Sequence, residues 1–225
     1  MSLVDASDRR TAWEEVGVRR PEFVARQSAC PSGLLGRLIG QVMARETASA
    51  NETALELLDL QPADHVLEVG FGHGATVARV ATAVSRGFVA GVDPSPEMCR
   101  MAARRNRQAV ANGTMELREA SADALPFPDR SFDKILSVHT LYFWPDLFRP
   151  FFEIRRVLKP GGRLVAAYRS DSAAKRAFPA RVYRFREEAE IEDAMRSSAF
   201  SEIRTLRRAS GAALVSFTLA YRSPG

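Results

Sequence analysis

The sequence predicts an α/β fold in which a doubly wound, mainly parallel sheet carries helices on both faces. Between about residues 65 and 168, short apolar runs alternate repeatedly with longer helical patterns, and such alternation folds as right-handed β-α-β crossovers. The first apolar run passes directly into a glycine-rich turn, and the C-terminal part adds two strand-like runs around a short turn, which together read as a hairpin. Residues 1–60 read as an N-terminal helical extension and 61–225 as the α/β domain, a division suited to a 225-residue chain that is somewhat short for two domains.

Residues 1 to about 30 are polar and basic, with Trp13 as the one anchor and Pro21 and Pro31 as punctuation. Leu34, Leu35, Leu38, Ile39, Val42 and Met43 then recur at helical spacing with Arg37, Gln41 and Arg45 opposite, so this helix is expected to lie across the domain with its apolar stripe packed on the sheet, a mobile lid over the substrate being the other reading. A helix over about 50–58 leads through Gln61-Pro62-Ala63-Asp64 to the first strand, Val66–Val69.

After Gly70-Phe71-Gly72-His73-Gly74 a helix runs from about Ala75 to Val84, followed by the strand Phe88–Val92 ending at Asp93. Pro94-Ser95-Pro96 opens a helix that Asn112-Gly113 closes, and Met115–Arg118 reads as a weak third strand. The fourth strand is Phe132–Val138, the next helix Pro145–Leu158 and the fifth strand Arg163–Tyr168. A helix from about Glu187 to Ser198 precedes the final runs Ile203–Arg208 and Ala213–Tyr221, joined at Ser210-Gly211.

The glycine turn is where a ligand is expected. Backbone there must turn sharply, and a side chain would hold a ligand away from the N–H groups at the start of the following helix. Gly70 to Ala75 satisfies the dinucleotide pattern GxGxxA with Asp93 about 20 residues on, so a nicotinamide-dependent oxidoreductase of the Rossmann type is one reading. Glu68 argues for another, because a carboxylate inside an apolar strand calls for a cationic ligand group or a hydrogen bond.

An ordered set of motifs sharpens the choice: Leu67 to Gly74, Gly91-Val92-Asp93-Pro94-Ser95, Ala122-Asp123-Ala124-Leu125-Pro126-Phe127, Ser131-Phe132-Asp133 and Arg156 to Leu164. In order and spacing this set resembles the class I S-adenosylmethionine-dependent methyltransferases, in their small-molecule branch. The resemblance spans about residues 60–168 and implies a Rossmann-like seven-stranded sheet whose last strand is antiparallel. It implies S-adenosyl-L-methionine as cofactor, with Gly70, Phe71 and Gly72 under the methionine end, Glu68 holding its ammonium, and Asp93 accepting from the ribose hydroxyls. Asp123 would accept from the adenine amino group beside the Ala122 backbone, with Pro94 and Met98 on the adenine face.

The acceptor is expected beyond the fourth strand, at Ser137 to Trp144. His139 is a candidate general base or a cofactor-lining group, since an unperturbed imidazole titrates near 6.5. Tyr142 is the second catalytic candidate, with packing as its other reading. Methyl transfer to an O, N or C atom of a small molecule is the function this implies, and a non-catalytic cofactor-binding protein is the remaining alternative. The motifs of amino-methylating DNA enzymes, cytosine-5 enzymes and metal-dependent catechol enzymes are absent from the sequence.

Composition sets the outer bounds. With 46% hydrophobic and 26% charged residues the chain reads as an ordinary globular protein, with no run that would span or stably insert in a membrane and a cytoplasmic location expected. A net charge of +5 is spread over scattered arginines, with clusters only at Arg104-Arg105-Asn106-Arg107 and Arg207-Arg208, so no nucleic-acid partner is expected. Cys30 and Cys99 lack ligand spacing and read as reduced packing residues, so no metal is expected. Nothing in the sequence indicates an oligomeric state.

Overall fold

The computed structural model describes residues 21–169, 177–210 and 213–224. Trp13, the segment 170–176 and the Gly211 turn therefore lie outside the described residues. Seven strands form one sheet: β1 His65–Val69, β2 Phe88–Asp93, β3 Met115–Glu119, β4 Phe132–Val138, β5 Leu158–Arg169, β6 Phe200–Ser210 and β7 Ala213–Arg222. Their order is β3-β2-β1-β4-β5-β7-β6. Neighbours from β3 to β5 pair in parallel, and β7 inserts antiparallel between β5 and β6.

The described helices are α1 Glu22–Ala29, α2 Gly33–Glu46, α3 Ala48–Leu58, α4 Ala75–Ala83, α5 Pro96–Arg105, α6 Arg107–Ala111, α7 Phe148–Val157 and α8 Glu188–Ser197, with a 3₁₀ turn at Leu141–Phe143. Two apolar clusters form two cores. One joins Leu67, Ile135 and Leu164 to Ile154 of α7 and Ile191 of α8, and the other joins Val66, Leu136 and Val165 to Leu58 of α3 and Val77 of α4. Successive strand residues point to opposite faces, so Val66 and Leu67 serve different cores. Strands buried on both sides are the reason these segments read as continuous apolar runs.

Arginines close two helix ends. Arg163 donates to the carbonyls of Leu57 and Leu58 at the end of α3, and Arg222 donates to those of Arg155 and Arg156 at the end of α7. Terminal carbonyls have no partner within their own helix, and a cation there also complements the helix dipole.

Four expectations need correction. The helix foreseen up to Asn112 breaks at Asn106 into α5 and α6, where the Asn106 amide turns inward and donates to the carbonyls of Gly74 and Ala102. The helix foreseen from Pro145 begins at Phe148, where the Asp146 carboxylate accepts the first N–H groups. The fifth strand starts at Leu158, five residues early, because the 159–162 turn sits within the extended segment.

The fourth correction concerns α2, which is turned the other way round. Its buried residues are Gly36 and Gly40, while Leu34, Leu35, Leu38 and Val42 are exposed. Close approach decides this: a Cβ on Gly40 would lie 3.1 Å from Met98 Cε of α5, and one on Gly36 2.8 Å from the Pro31 carbonyl carbon. The small residues must therefore face inward, whatever the apolar periodicity favours.

Candidate active site

At the carboxyl ends of β1, β2 and β4 the structure holds a cavity of about 670 Å³. Open α/β sheets bind ligands at this edge, where the crossovers from the central strands diverge, and the volume suits a nucleotide-sized molecule. The glycine turn and the loop after β3 form one side of it, and the inner face of α2 with the Ala29–Pro31 segment forms the other.

Gly70 and Gly72 both lie in the left-handed region, at φ 84° and 54°, for different reasons. A Cβ on Gly70 would lie 2.2 Å from the Thr140 methyl, so the turn after β1 fits only by packing bare backbone against the end of β4. A Cβ on Gly72 would meet nothing within 4 Å, and the residue lines the cavity. The first glycine serves the fold and the second leaves room for a ligand.

Asp93 ties the second strand to this turn. Its Oδ2 accepts from the Gly72 N–H at 2.9 Å, and its Oδ1 accepts from the Ser95 N–H at 2.9 Å. Turn-capping thus occurs, yet the carboxylate still borders the cavity, and each oxygen has a second lone pair free to accept. Burial pushes the Asp93 carboxyl above the usual range, opposed by the two N–H groups.

Glu68 is 3% exposed, and its Oε2 is buried with no hydrogen-bond partner. Burial, and then the neighbouring Asp93 charge, push its carboxyl up to about 8. An orphaned acidic oxygen beside a cavity is costly to the empty protein, and a cationic ligand group would relieve that cost.

Asp123 and Ala122 are held from behind. Glu153 Oε2 accepts the Leu125 N–H at 3.0 Å, Arg156 donates to the Leu125 and Phe127 carbonyls, and Arg149 donates to the Asp123 carbonyl. The loop backbone is fixed while the Asp123 side chain stays exposed at the cavity.

His139 occupies the end of β4 at φ 58°, a conformation uncommon for a residue with a side chain. Its N–H donates to the Ala167 carbonyl, and its Nδ1 lies 2.9 Å from Tyr142 Oη. Tyr142 Oη also accepts the Arg169 N–H. Burial and the Arg169 charge hold the imidazole down to about 3. A depressed imidazole at the cavity favours the cofactor-lining reading of His139 over the general-base one.

The methyltransferase-domain family matches residues 67–166. YrhH of Bacillus subtilis (strain 168), which bears a methyltransferase name, is 30% identical over 129 residues, covering 57% of this chain and 71% of that protein. The chain belongs to the class I S-adenosylmethionine-dependent methyltransferase family. A demethylmenaquinone methyltransferase of Tropheryma whipplei (strain Twist) is 39% identical over 123 residues, 53% of this chain and 48% of that one. A S-adenosylmethionine-dependent methyltransferase structure from Aquifex aeolicus shares the fold at TM-score 0.65 and 19% identity, covering 90% of this chain and all of that one. Family membership closes the nicotinamide-dependent reading left open by the glycine spacing.

In this methyltransferase, Glu68, Gly70, Phe71, Gly72, Asp93, Pro94, Met98, Ala122, Asp123 and His139 all line the one cavity. Phe71 turns its ring inward onto Gly91, whose Cβ would lie 2.6 Å from it. Tyr142 does not line the cavity. It is 4% exposed and sits in an aromatic cluster, 4.9 Å from the Phe185 ring and 5.9 Å from that of Tyr183. Cys30 was expected as packing, but it is exposed at the cavity rim because the α1–α2 turn passes over Pro94. His65 is exposed at the far end of β1, while His73 borders the cavity with burial holding its imidazole below the usual range.

Sequence reasoning missed the packing of the Thr140 methyl beside Gly70 and the small and polar residues of α2 and α3 at the cavity, among them Gly40, Thr47 and Asn51. Helical spacing could not find them, because it pointed to the opposite face of α2. Among the described residues no group of three His, Cys, Asp or Glu converges on a metal-sized site, and no helix is long and apolar enough to cross a membrane.

Proposed function

We propose that the cavity binds S-adenosyl-L-methionine and that this chain transfers the sulfonium methyl to an O, N or C atom of a small-molecule acceptor. The observation that carries the reading is Glu68 Oε2, a buried acidic oxygen without a partner, beside a glycine whose missing side chain opens onto the same cavity. The donor set fits the cofactor. Glu68 would meet its ammonium, Gly70 and Gly72 its methionine backbone, Asp93 its ribose hydroxyls, and Asp123 with Ala122 its adenine edge between Pro94 and Met98. The name of the menaquinone-pathway relative supports an acceptor of small-molecule size.

When bound, the cofactor supplies an electrophilic methyl; the chain supplies placement and a dry enclosure. Phe143, Trp144, Pro145 and Pro150 give the acceptor end of the cavity an apolar wall, with His139 beside them. Because the Arg169 N–H already donates to Tyr142 Oη, the Tyr142 hydroxyl can donate in turn to His139 Nδ1. With the Tyr142 hydroxyl donating to Nδ1, the imidazole proton would sit on Nε2 and His139 would offer the cavity a donor. An imidazole whose conjugate acid has a pKa near 3 is a weak proton acceptor, which favours orienting the acceptor over removing its proton. Tyr142 then acts through His139 and touches no substrate.

Calorimetry with S-adenosylhomocysteine tests the binding. Micromolar affinity, weakened in Glu68→Gln and Asp93→Ala, is the expected result, and no binding by the folded wild-type chain at millimolar concentration sinks the proposal. Turnover of labelled methyl with any acceptor separates the enzyme from a non-catalytic binder.

A further inference from the structure

The part of the cavity wall beyond β4 differs in kind from the rest of the lining. The acids and the arginine at the cavity are Glu68 on β1, Asp93 at the end of β2, Asp123 in the loop after β3 and Arg79 on α4, which pairs with Glu52 of α3 at 3.2 Å. Past β4 the lining is Phe143, Trp144, Pro145 and Pro150, with His139 and Thr140 as its polar members. Burial and the Arg169 charge keep the His139 imidazole neutral near pH 7, so among the described residues this wall carries no ionised side chain.

The polar protons of this wall are mostly spent inside the protein. Ser137 Oγ donates its one proton to the Val69 carbonyl at 3.3 Å, so it accepts in its contact with Thr140, and the Thr140 proton is used there. Tyr142 Oη takes the Arg169 N–H and lies 2.9 Å from His139 Nδ1. With the Tyr142 proton in that bond, the imidazole keeps its own proton on Nε2. One donor atom then remains in a wall of aromatic and proline surface.

We infer that the methyl acceptor is a planar, apolar phenol or enol, whose acidic hydroxyl ionises and is held at its oxygen by the Nε2–H of His139. This rests on the methyl-transfer reading and names the substrate class for that site. The hydroxyl gives its proton to water; its oxygen bonds to the methyl carbon as the carbon–sulfur bond breaks, and that bond's electron pair stays on sulfur. The wall offers no base, so the acceptor must be acidic enough to ionise by itself, which excludes an aliphatic alcohol. An ammonium acceptor would bring a second cation to a sulfonium in an apolar enclosure, with no acid in this wall to answer it. A carboxylate has two oxygens to satisfy and would find one donor.

Naphthyl compounds that share a ring and differ in their handle test this on the full wild-type chain: 2-naphthol, 2-naphthylmethanol, 2-naphthylmethylamine and 2-naphthoate. Titrated into protein saturated with S-adenosylhomocysteine, 2-naphthol should bind roughly tenfold tighter or better than the ammonium and carboxylate compounds, and with S-adenosylmethionine it alone of the four should be methylated. The pH dependence of kcat/KM should belong to the acceptor, rising toward about 10 for 2-naphthol, the range of an aromatic hydroxyl, and levelling off lower for a nitro-substituted naphthol. His139→Asn, a residue type that suits the left-handed backbone, should keep the wild-type circular dichroism and weaken 2-naphthol binding roughly tenfold. The inference is overturned, with the cofactor reading intact, if the chain binds S-adenosylhomocysteine but neither naphthol. Preference for the ammonium or carboxylate compound, one inflection shared by both naphthols, or unchanged 2-naphthol binding in His139→Asn overturns it in the same way. A folded chain that does not bind S-adenosylhomocysteine removes both.

Discussion

Asp93 Oδ2 accepts the Gly72 N–H at 2.9 Å, so the acid at the end of the second strand holds the turn after the first. The same carboxylate is thus part of the fold and part of the cavity wall. Asp93→Ala should weaken S-adenosylhomocysteine binding by roughly 1.5–3 kcal/mol, the range for hydrogen bonds to a charged group. It should also lower stability by about 1–3 kcal/mol, since the Gly72 and Ser95 N–H groups lose their acceptor. Denaturant unfolding beside calorimetry reads both, and a mutant unchanged in affinity would leave Asp93 a turn residue alone.

Glu68 gives a pH signature. Its carboxyl is raised to about 8, whereas an unfolded glutamate titrates near 4.5. Between those values the folded protein binds a proton that the unfolded chain does not, so this group lowers stability as pH rises from about 4.5 to 8. Glu68→Gln should remove that dependence, gaining on the order of a few kcal/mol at the alkaline end and little at pH 4.5. Wild-type affinity for S-adenosylhomocysteine should rise over the same interval, with proton release on binding seen as a buffer-dependent heat. A melting temperature of Glu68→Gln that tracks the wild type at every pH would contradict the assignment.

His139 should show no activity inflection between pH 6 and 7.5, because its imidazole is already neutral there. Its folded value lies below the unfolded one, so the stability it contributes is present above about 6.5 and lost as pH falls toward 3. His139→Asn should flatten that acid limb. Tyr142→Phe should keep cofactor affinity within about twofold but lower kcat/KM by roughly tenfold, through the lost tautomer control and not through contact with substrate. An inflection near 7 that vanishes in His139→Asn would restore the general-base reading.

Two glycine substitutions should separate fold from ligand. Gly70→Ala drives a methyl against Thr140 from a left-handed backbone and should cost about 2 kcal/mol or more of stability, partly recovered in Gly70→Ala/Thr140→Ser. Gly72→Ala meets no protein atom and should cost only about 1 kcal/mol, while abolishing measurable cofactor binding. Equal cofactor affinity in Gly72→Ala and wild type would show that the ligand does not approach this glycine.

Turnover should be indifferent to EDTA, since among the described residues no three acids or histidines gather as a ligand set and both Asp93 oxygens are taken up by backbone N–H groups. Loss of activity on chelation, restored by magnesium, would refute this.

The sequence by itself determined the sheet and most of one wall of the cavity. Parallel strands buried on both faces must be apolar runs, and a backbone that turns at Gly70 and Gly72 must be glycine, so both are written in residue type and short spacing. Ten residues drawn from four separate segments, from Glu68 to His139, lie on one cavity because consecutive strands of a parallel sheet end at the same edge. The tertiary structure alone decided the rest. Periodicity marks an apolar stripe on α2 but cannot say which face another helix approaches; contact with Met98 and Pro31 required glycines inward and left the leucines outside. Nor could it show that Tyr142 lies behind His139, or that burial and Arg169 hold that imidazole neutral, because electrostatic environment depends on neighbours brought together only by folding.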